Sequence, residues 1–213
     1  MFADTLARLE RALTGPLPGE PAQLRMMPRP PREWPPDFNR ARIRDAAGLL
    51  LLFPVENRPH LVLTVRAGTL GRHGGQVSLP GGVVERGETF EQAAIREAHE
   101  EIGLEPASVR MLGALTPIDI HVSGFRLHPI VATMPTRPTL NPADDEVSRI
   151  LEIPLERLMD PNAVAWRTMT RDNRSVAVPV FLADDAEIWG ATAMVVAEFL
   201  ALLGWEGISA RRS

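Results

Sequence analysis

The chain has 213 residues, of which 45% are hydrophobic and 23% are charged, and it carries a net charge of −4 at pH 7. These values suit one globular domain with an added arm, and the negative balance gives no electrostatic footprint for nucleic acid or an anionic membrane. Cysteine is absent, which excludes disulfides and thiolate chemistry, and no apolar run approaches the roughly 18 residues that span a bilayer.

The first 41 residues predict a helix followed by an extended arm. Apolar residues recur at helical spacing from Phe2 to Leu13, which indicates an amphipathic helix that either packs on the domain, as we favour, or binds a partner. The chain is dense in proline from Pro16 to Pro36, a composition that opposes helix and sheet and favours an extended connector. The N-terminus does not match a signal peptide, because acidic residues come early and no apolar run follows. We therefore expect a cytoplasmic protein.

Residues 42–207 predict one domain of strands interrupted by two substantial helices, followed by a tail at 208–213. The predicted strands are 46–53, 61–65, 109–115, 127–134, 164–170 and 176–181, the last two forming a hairpin around Asp172 and Asn173. The predicted helices are 91–102, ended by Gly103, a short turn at 154–159, and 192–203. This arrangement fits an α/β sandwich.

The segment from Gly82 to Leu104 indicates the chemistry. On its predicted helix, Glu97, Glu100 and Glu101 stand at i, i+3 and i+4, so three carboxylates share one helical face. Uncompensated like charges at this spacing weaken a helix. A divalent cation would compensate them, because hard carboxylate oxygens are the ligands that Mg²⁺ prefers. We therefore expect a metal-binding helix whose metal-free form is electrostatically strained. The alternative, a solvated acidic helix, explains neither Gly82 nor the position of Arg96.

The same segment resembles the Nudix box, written G-x5-E-x7-R-E-U-x-E-E-x-G-U with U bulky and apolar. Every fixed position is matched, and Ala98 is a small apolar residue at the first U position. The resemblance implies a Nudix-type α/β/α sandwich with a mixed β-sheet. It also implies a hydrolase that uses Mg²⁺ or Mn²⁺ and water to cut a pyrophosphate linked to some other moiety.

The resemblance also implies roles for the acidic residues. The three helical carboxylates are the expected metal ligands, with Glu97 and Glu101 the firmest choices. One of the three, or a later acid such as Glu146, can instead act as the general base. We expect Arg96 to point away from the carboxylates and to pair with Glu88, which would hold the loop against the helix.

The stretch before the box resembles the signature of the coenzyme A pyrophosphatase branch, roughly L-L-T-x-R-S-x-x-L-x-x-H-x-G-x-V-x-F-P-G-G. The positions in register are Thr64, Arg66, Leu70, His73, Gly75, Val77, Pro80, Gly81 and Gly82. The chain departs from the signature at Val62, at Ala67, where a serine hydroxyl is lost, and at Leu79. This resemblance implies hydrolysis of coenzyme A to 3′,5′-ADP and 4′-phosphopantetheine.

Two arginines in this stretch are candidates for substrate binding. Arg66 and Arg72 suit a ligand with several phosphates, because a guanidinium binds phosphate through two hydrogen bonds. His73 either contacts phosphate or stabilises the loop. The glycines expected at the substrate are Gly75, Gly81 and Gly82, which lack a Cβ and allow close approach.

Two other functions remain open. A pyrophosphatase of the same fold can act on another nucleoside diphosphate derivative, such as ADP-ribose, or on nucleoside triphosphates. A Nudix-fold binding module without catalysis is disfavoured, because the chain keeps all four box glutamates. The expected partner is a small molecule. A homodimer through the arm or the apolar C-terminal helix and packing of both on their own domain explain these segments equally well.

Overall fold

The computed structural model describes residues 1–34, 37–67, 75–143, 145–171, 173–183 and 185–207. Within these ranges no helix is long and apolar enough to cross a membrane. The α-helices of this described part are α1 Phe2–Leu13, α2 Gly19–Gln23, α3 Phe90–Ile102, α4 Leu155–Met159 and α5 Gly190–Leu202. Its strands are β1 Arg44–Val55, β2 Arg58–Arg66, β3 Val77–Ser78, β4 Gly81–Val83, β5 Arg110–Ala114, β6 Ile118–Ile120, β7 Phe125–Thr133, β8 Val147–Pro154, β9 Val164–Arg171, β10 Arg174–Ala183 and β11 Ala186–Ile188.

Strand β1 is the centre of a mixed sheet that has eight strands in the described part of the chain. It pairs in parallel with β7 and antiparallel with two other strands, β4 along its first half and β2 along its second. Strands β3 and β8 extend the sheet from β2, and β5 and β6 extend it from β7. Strands β9, β10 and β11 form a separate antiparallel sheet.

The two faces of β1 are both buried, which explains its continuous apolar sequence. Leu49, Leu51 and Phe53 point to one face, where they share a core with α3. Leu50 and Leu52 point to the other face and join the core formed with α1 and α5. The mixed sheet between helices confirms the predicted α/β/α sandwich. Most predicted elements lie within two or three residues of their observed bounds.

The proline-rich arm corrects one prediction. We expected no helix between Pro16 and Pro36, but α2 lies there and a 3-10 turn at Leu24–Met26 follows it. Pro21 is in the first turn of α2, where a backbone N–H has no partner within the helix, so proline removes no hydrogen bond there. Further along, Arg29 forms a β-bridge with Ala177 of β10.

A fully buried carboxylate joins this arm to the domain. Glu198 of α5 has no solvent-exposed surface. Its Oε1 accepts hydrogen bonds from Gly19 N at 3.1 Å, Thr116 N at 3.2 Å and Thr116 Oγ1 at 2.7 Å. Its Oε2 accepts from Gln23 Nε2 at 2.7 Å. Because a buried charge requires such donors, Glu198 connects the arm, α5 and the loop between β5 and β6.

Candidate active site

Helix α3 begins and ends at local signals in its own sequence. Thr89 Oγ1 accepts from Gln92 N at 3.2 Å, and Gln92 Oε1 accepts from Thr89 N at 2.8 Å, which forms a capping box. Gly103 ends the helix in the left-handed conformation, with φ of 67°. Alanines and Ile102 bury the opposite side of the helix against β1. The helix is therefore held so that its acidic side faces β4 and the preceding loop.

Arg96 is the centre of the charged network on this side. Its Nε and Nη2 bind the two carboxylate oxygens of Glu88 at 2.9 and 3.1 Å. Its Nη1 binds Glu97 Oε1 at 2.8 Å and Glu100 Oε2 at 3.2 Å. Its Nη2 also donates to the carbonyl of Val83 at 3.0 Å. One guanidinium thus joins the loop, β4 and two of the expected metal ligands.

This network corrects two expectations and supports a third. The predicted contact between Arg96 and Glu88 is present as a pair of hydrogen bonds. Arg96 does not point away from the carboxylates, however, since it also binds Glu97 and Glu100. The expected strain of the metal-free helix is consequently relieved in part, because a positive charge lies between two of the like charges.

Gly81 and Gly82 bring the carboxylates of Glu101 and Glu97, respectively, against β4. A Cβ on Gly82 would lie 2.5 Å from both carboxylate oxygens of Glu97, so only glycine leaves room for that carboxylate. Gly81 donates its N–H to Glu101 Oε2 at 3.1 Å, and a Cβ on Gly81 would overlap the backbone of β1. Gly81 is therefore required by the packing of β4 against the backbone of β1, whereas Gly82 leaves the space in which the Glu97 carboxylate lies.

The donor set fits a hard divalent cation, although it is not yet gathered around one point. Among the described residues, no three histidine, aspartate or glutamate side chains form a group ready to hold a metal. Glu97 and Glu100 each give one oxygen to Arg96, which leaves a second oxygen on each as a ligand. Carboxylate oxygens without thiolate or imidazole suit Mg²⁺ or Mn²⁺. Glu97, Glu100 and Glu101 are the residues that would hold the ion.

The ionic contacts shift the pKa values of the network in opposite directions. Hydrogen bonds from Arg96, together with one from the backbone N–H of Glu85, hold the pKa of Glu88 below its ordinary value. The same contact with Glu88, and a further one with Glu97, raise the pKa of Arg96. Both groups are charged at neutral pH, so the loop stays fixed to the helix.

Of the four substrate-binding residues expected between positions 66 and 75, the structure describes two, Arg66 and Gly75. Arg66 ends β2, and its Nη2 binds Glu146 Oε2 at 2.9 Å. Gly75 has φ of 78° and donates its N–H to the carbonyl of Arg66 at 2.9 Å. Neither contacts a box carboxylate among the described residues. Arg72 and His73 lie outside the described residues.

The late-chain acid Glu146 lies at the same end of the sheet as the box. Its carbonyl accepts from Ala67 N at 2.7 Å, in line with its ionic contact to Arg66. Three residues earlier, Ala143 N donates to the carbonyl of Glu101 at 3.0 Å. The segment before β8 therefore runs from the end of α3 to the end of β2.

Sequence reasoning missed two features around the box. The capping box at Thr89 and Gln92 has a readable signature, a hydroxyl residue followed three positions later by glutamine. His128 Nε2 lies 2.7 Å from Asp45 Oδ1, and its ring stacks on Phe90 with centroids 3.6 Å apart. No local sequence signal predicts the contacts of His128 with Asp45 and Phe90, because the three residues come from β7, β1 and α3, respectively.

Comparison with known proteins agrees with this site. A model of the NUDIX domain matches residues 42–177, so the chain belongs to the Nudix family. It is 33% identical to the uncharacterized Nudix hydrolase NudL of Citrobacter koseri over 76% of this chain and 84% of that protein. NudL of Escherichia fergusonii is also 33% identical, over 79% of this chain and 88% of its own length. The family assignment identifies a Nudix hydrolase.

Two solved structures share the fold. A Nudix hydrolase from M. smegmatis, RenU, aligns with a TM-score of 0.52 at 20% identity over 75% of this chain and 83% of that one. A MutT protein from Methanosarcina mazei aligns with a TM-score of 0.50 at 14% identity over 75% of this chain and 92% of that one. At these identities the likeness shows the fold alone.

Proposed function

We propose that this Nudix hydrolase cuts the pyrophosphate of coenzyme A, giving 3′,5′-ADP and 4′-phosphopantetheine. One observation supports the reaction class: Glu97 lies against Gly82 and Glu101 against Gly81. The guanidinium of Arg96, which contacts Glu97, also binds the other two glutamates of the box, Glu88 and Glu100. The choice of coenzyme A as substrate rests on the resemblance of residues 64–82 to the signature of the coenzyme A pyrophosphatase branch.

The residues of the site suit water attack on phosphorus. Glu97, Glu100 and Glu101 would hold Mg²⁺ or Mn²⁺, which when bound would lower the pKa of bound water and neutralise charge on the leaving phosphate. Arg96 fixes the orientation of Glu97 and Glu100, and Glu88 fixes Arg96. In addition to the three box carboxylates, Glu146, which accepts a hydrogen bond from Arg66, is a candidate general base.

Arg66 supports a polyanionic substrate. Its guanidinium is partly exposed, with 31% of the side chain accessible, and it is oriented by Glu146 at the end of β2. A guanidinium in this state can exchange its carboxylate partner for a phosphate, because both accept two parallel hydrogen bonds. Arg72, Gly75 and His73 belong to the same proposed phosphate-binding loop.

A substrate comparison tests the choice of coenzyme A. The enzyme would be incubated with Mg²⁺ and, separately, with coenzyme A, ADP-ribose and deoxynucleoside triphosphates, and products would be separated by chromatography. We expect the highest kcat/KM for coenzyme A. Intact coenzyme A in a reaction that cuts ADP-ribose would replace this proposal with the alternative substrate class, and no hydrolysis of any would favour a binding module.

A further inference from the structure

Strand β8 bulges where it passes the end of β2. Val65 of β2 pairs with Arg149, but the next residue, Arg66, pairs with Val147. Ser148 is therefore an extra residue on β8, the defining feature of a β-bulge. Its Oγ donates to the carbonyl of Val65 at 3.0 Å. This hydrogen bond holds the bulge against β2.

The bulge brings Glu146 to Arg66. In the register that the rest of β8 follows, Glu146 would lie one position further from Arg66 along β2. With the extra residue, the Glu146 carbonyl accepts from Ala67 N at 2.7 Å, and its Oε2 accepts from Arg66 Nη2 at 2.9 Å. The backbone of two strands therefore sets this ion pair, which distinguishes it from a chance contact between two long surface side chains.

The pair lies on the side of the sheet that carries the box helix. Side chains alternate along a strand, and Val62 is buried in the core shared with α3, so Arg66, four residues later, points to the same face. The segment before Glu146 is joined to the last turn of α3, because Ala143 N donates to the carbonyl of Glu101 at 3.0 Å. The pair therefore faces the same side as the carboxylates of the candidate metal site.

The contact between the two side chains is suited to exchange. In the described part of the chain, Arg66 gives one nitrogen to Glu146, whereas Arg137 gives two nitrogens to the two oxygens of Glu152, further along β8. Both side chains of the Arg66 pair are partly exposed, and exposed ion pairs are weak because water screens the charges. A phosphate can bind the guanidinium through two parallel hydrogen bonds and so displace this single contact.

We propose that Glu146 is an autoinhibitory contact: it competes with the substrate for Arg66 and is displaced when a substrate phosphate binds that guanidinium. This inference rests on the phosphate-binding role of Arg66 in the proposed function and adds Glu146 as a residue that lowers the affinity for substrate. Displacement also releases the carboxylate from Arg66. The role of Glu146 as a candidate general base is thereby linked to the presence of substrate.

Calorimetry with inorganic pyrophosphate tests the exchange apart from turnover, because buffer with a chelator and no metal prevents hydrolysis. We expect Arg66→Ala to weaken pyrophosphate binding at least about tenfold, since a charge-assisted contact is lost. Glu146→Gln should instead tighten binding about two- to fivefold, the strength of a partly exposed ion pair that no longer competes. In the Arg66→Ala background, Glu146→Gln should have little further effect, because the contested guanidinium is gone.

Glu152→Gln is the matched control, because it also removes one negative charge from an arginine-bound glutamate of β8. Glu152 lies six positions from Glu146, roughly 20 Å along a strand and beyond the screening length of about 8–10 Å, so pyrophosphate affinity should not change. No pyrophosphate binding, unchanged or weaker binding in Glu146→Gln, or an equal gain in the Arg66→Ala background would overturn the inference, whichever substrate the enzyme cuts.

A kinetic measurement separates this inference from the proposed function. With coenzyme A and Mg²⁺, Glu146→Gln should lower KM, whereas a damaged fold would raise it. A raised KM would contradict the competition. The expected pyrophosphate affinities together with intact coenzyme A would support the competition and contradict the proposed function.

Discussion

Glu97 and Glu100 are one turn apart on α3 but have different surroundings. The Glu97 side chain is 18% exposed and lies above Gly82, whereas the Glu100 side chain is 55% exposed. Both share one nitrogen of Arg96. The position of Glu97 is thus determined by packing as well as by charge, and the absence of a side chain at position 82 is part of the site.

Replacing Gly82 tests this packing. Gly82→Ala places a methyl group against the Glu97 carboxylate, so either Glu97 leaves its position or β4 shifts. Because the methyl group meets only the end of the Glu97 side chain, we expect a smaller loss in the free energy of unfolding than the roughly 1–3 kcal/mol of an overpacked core, together with at least a tenfold loss of kcat. Chemical denaturation and initial rates measure the two effects. Gly15→Ala is the control, since its Cβ would make only an ordinary contact at 3.6 Å; equal behaviour of the two variants would refute the role of Gly82.

The contact between Glu88 and Arg96 predicts a loss of stability in acid. Because Arg96 lowers the pKa of Glu88 in the folded state, the contact stabilises fully above the ordinary glutamate pKa of about 4.3. That stabilisation is lost as the pH falls through the lowered pKa. Glu88→Gln should therefore reduce the free energy of unfolding at pH 7 by more than it does at pH 2. Urea denaturation at both pH values measures this, and an equal reduction at both would contradict it.

At the scale of elements, the arm is part of the folded domain. Glu198 receives donors from α2 and from the loop before β6, and Arg25 Nη1 donates to the carbonyl of Trp205 at 2.9 Å. Except for Thr116, the residues that make these contacts lie outside residues 42–177, where the family model matches. We infer that the arm contributes to stability rather than forming a free linker.

Two substitutions at one position test the arm contact. Glu198→Ala removes the acceptor of four hydrogen bonds in the buried interior, and we expect at least about 3 kcal/mol of destabilisation. Glu198→Gln should cost less, because its carbonyl oxygen can still accept from Gly19 and Thr116. Chemical denaturation of the wild type and both variants measures the order of their free energies of unfolding. A Glu198→Ala variant as stable as the wild type would show that the buried carboxylate does not hold the arm.

The same elements show what the sequence predicts and where it fails. Helix α3 is readable because its start, its apolar side and Gly103 are all local signals. Helix α2 was missed because proline was taken to exclude helix, although Pro21 occupies a first-turn position. Strand β8 was missed because its charged residues alternate weakly with apolar ones at the edge of the sheet.

For the site, residue types were predictable and contacts were not. The acidic positions, Arg96 and its contact with Glu88 follow from the box. The hydrogen bond from Arg96 to Glu97 does not, because adjacent residues on a helix point in different directions and only the length of arginine allows the contact. The contact with Glu100 has the ordinary i,i+4 spacing of a helical ion pair, and it was missed because Arg96 was expected to point away from the carboxylates.

At the scale of the whole molecule, metal binding should stabilise the fold. Arg96 already offsets part of the repulsion between the carboxylates of α3. The gain in the free energy of unfolding should therefore come mainly from the fact that Mg²⁺ binds the folded state and not the unfolded one. At 100 times the dissociation constant, Mg²⁺ would contribute about 2.7 kcal/mol, which raises the Tm of a domain of this size by about 5–10 °C. Calorimetric scans with and without Mg²⁺ measure the shift. Mg²⁺-free buffer with a chelator is the reference, and an unchanged Tm at saturating Mg²⁺ would argue against the metal site.

The central claim is that the box carboxylates of this chain direct hydrolysis of the coenzyme A pyrophosphate. The most direct measurement is mass spectrometry of the products formed from coenzyme A and Mg²⁺ by the wild type and by Glu101→Gln, with folding of the variant verified by its Tm. We predict 3′,5′-ADP and 4′-phosphopantetheine in equal amounts from the wild type. The folded variant should react at least about 100-fold more slowly, a larger loss than substitution of a residue that only hydrogen-bonds to a metal ligand usually causes. Intact coenzyme A with the wild type, or wild-type rates with Glu101→Gln, would contradict the claim.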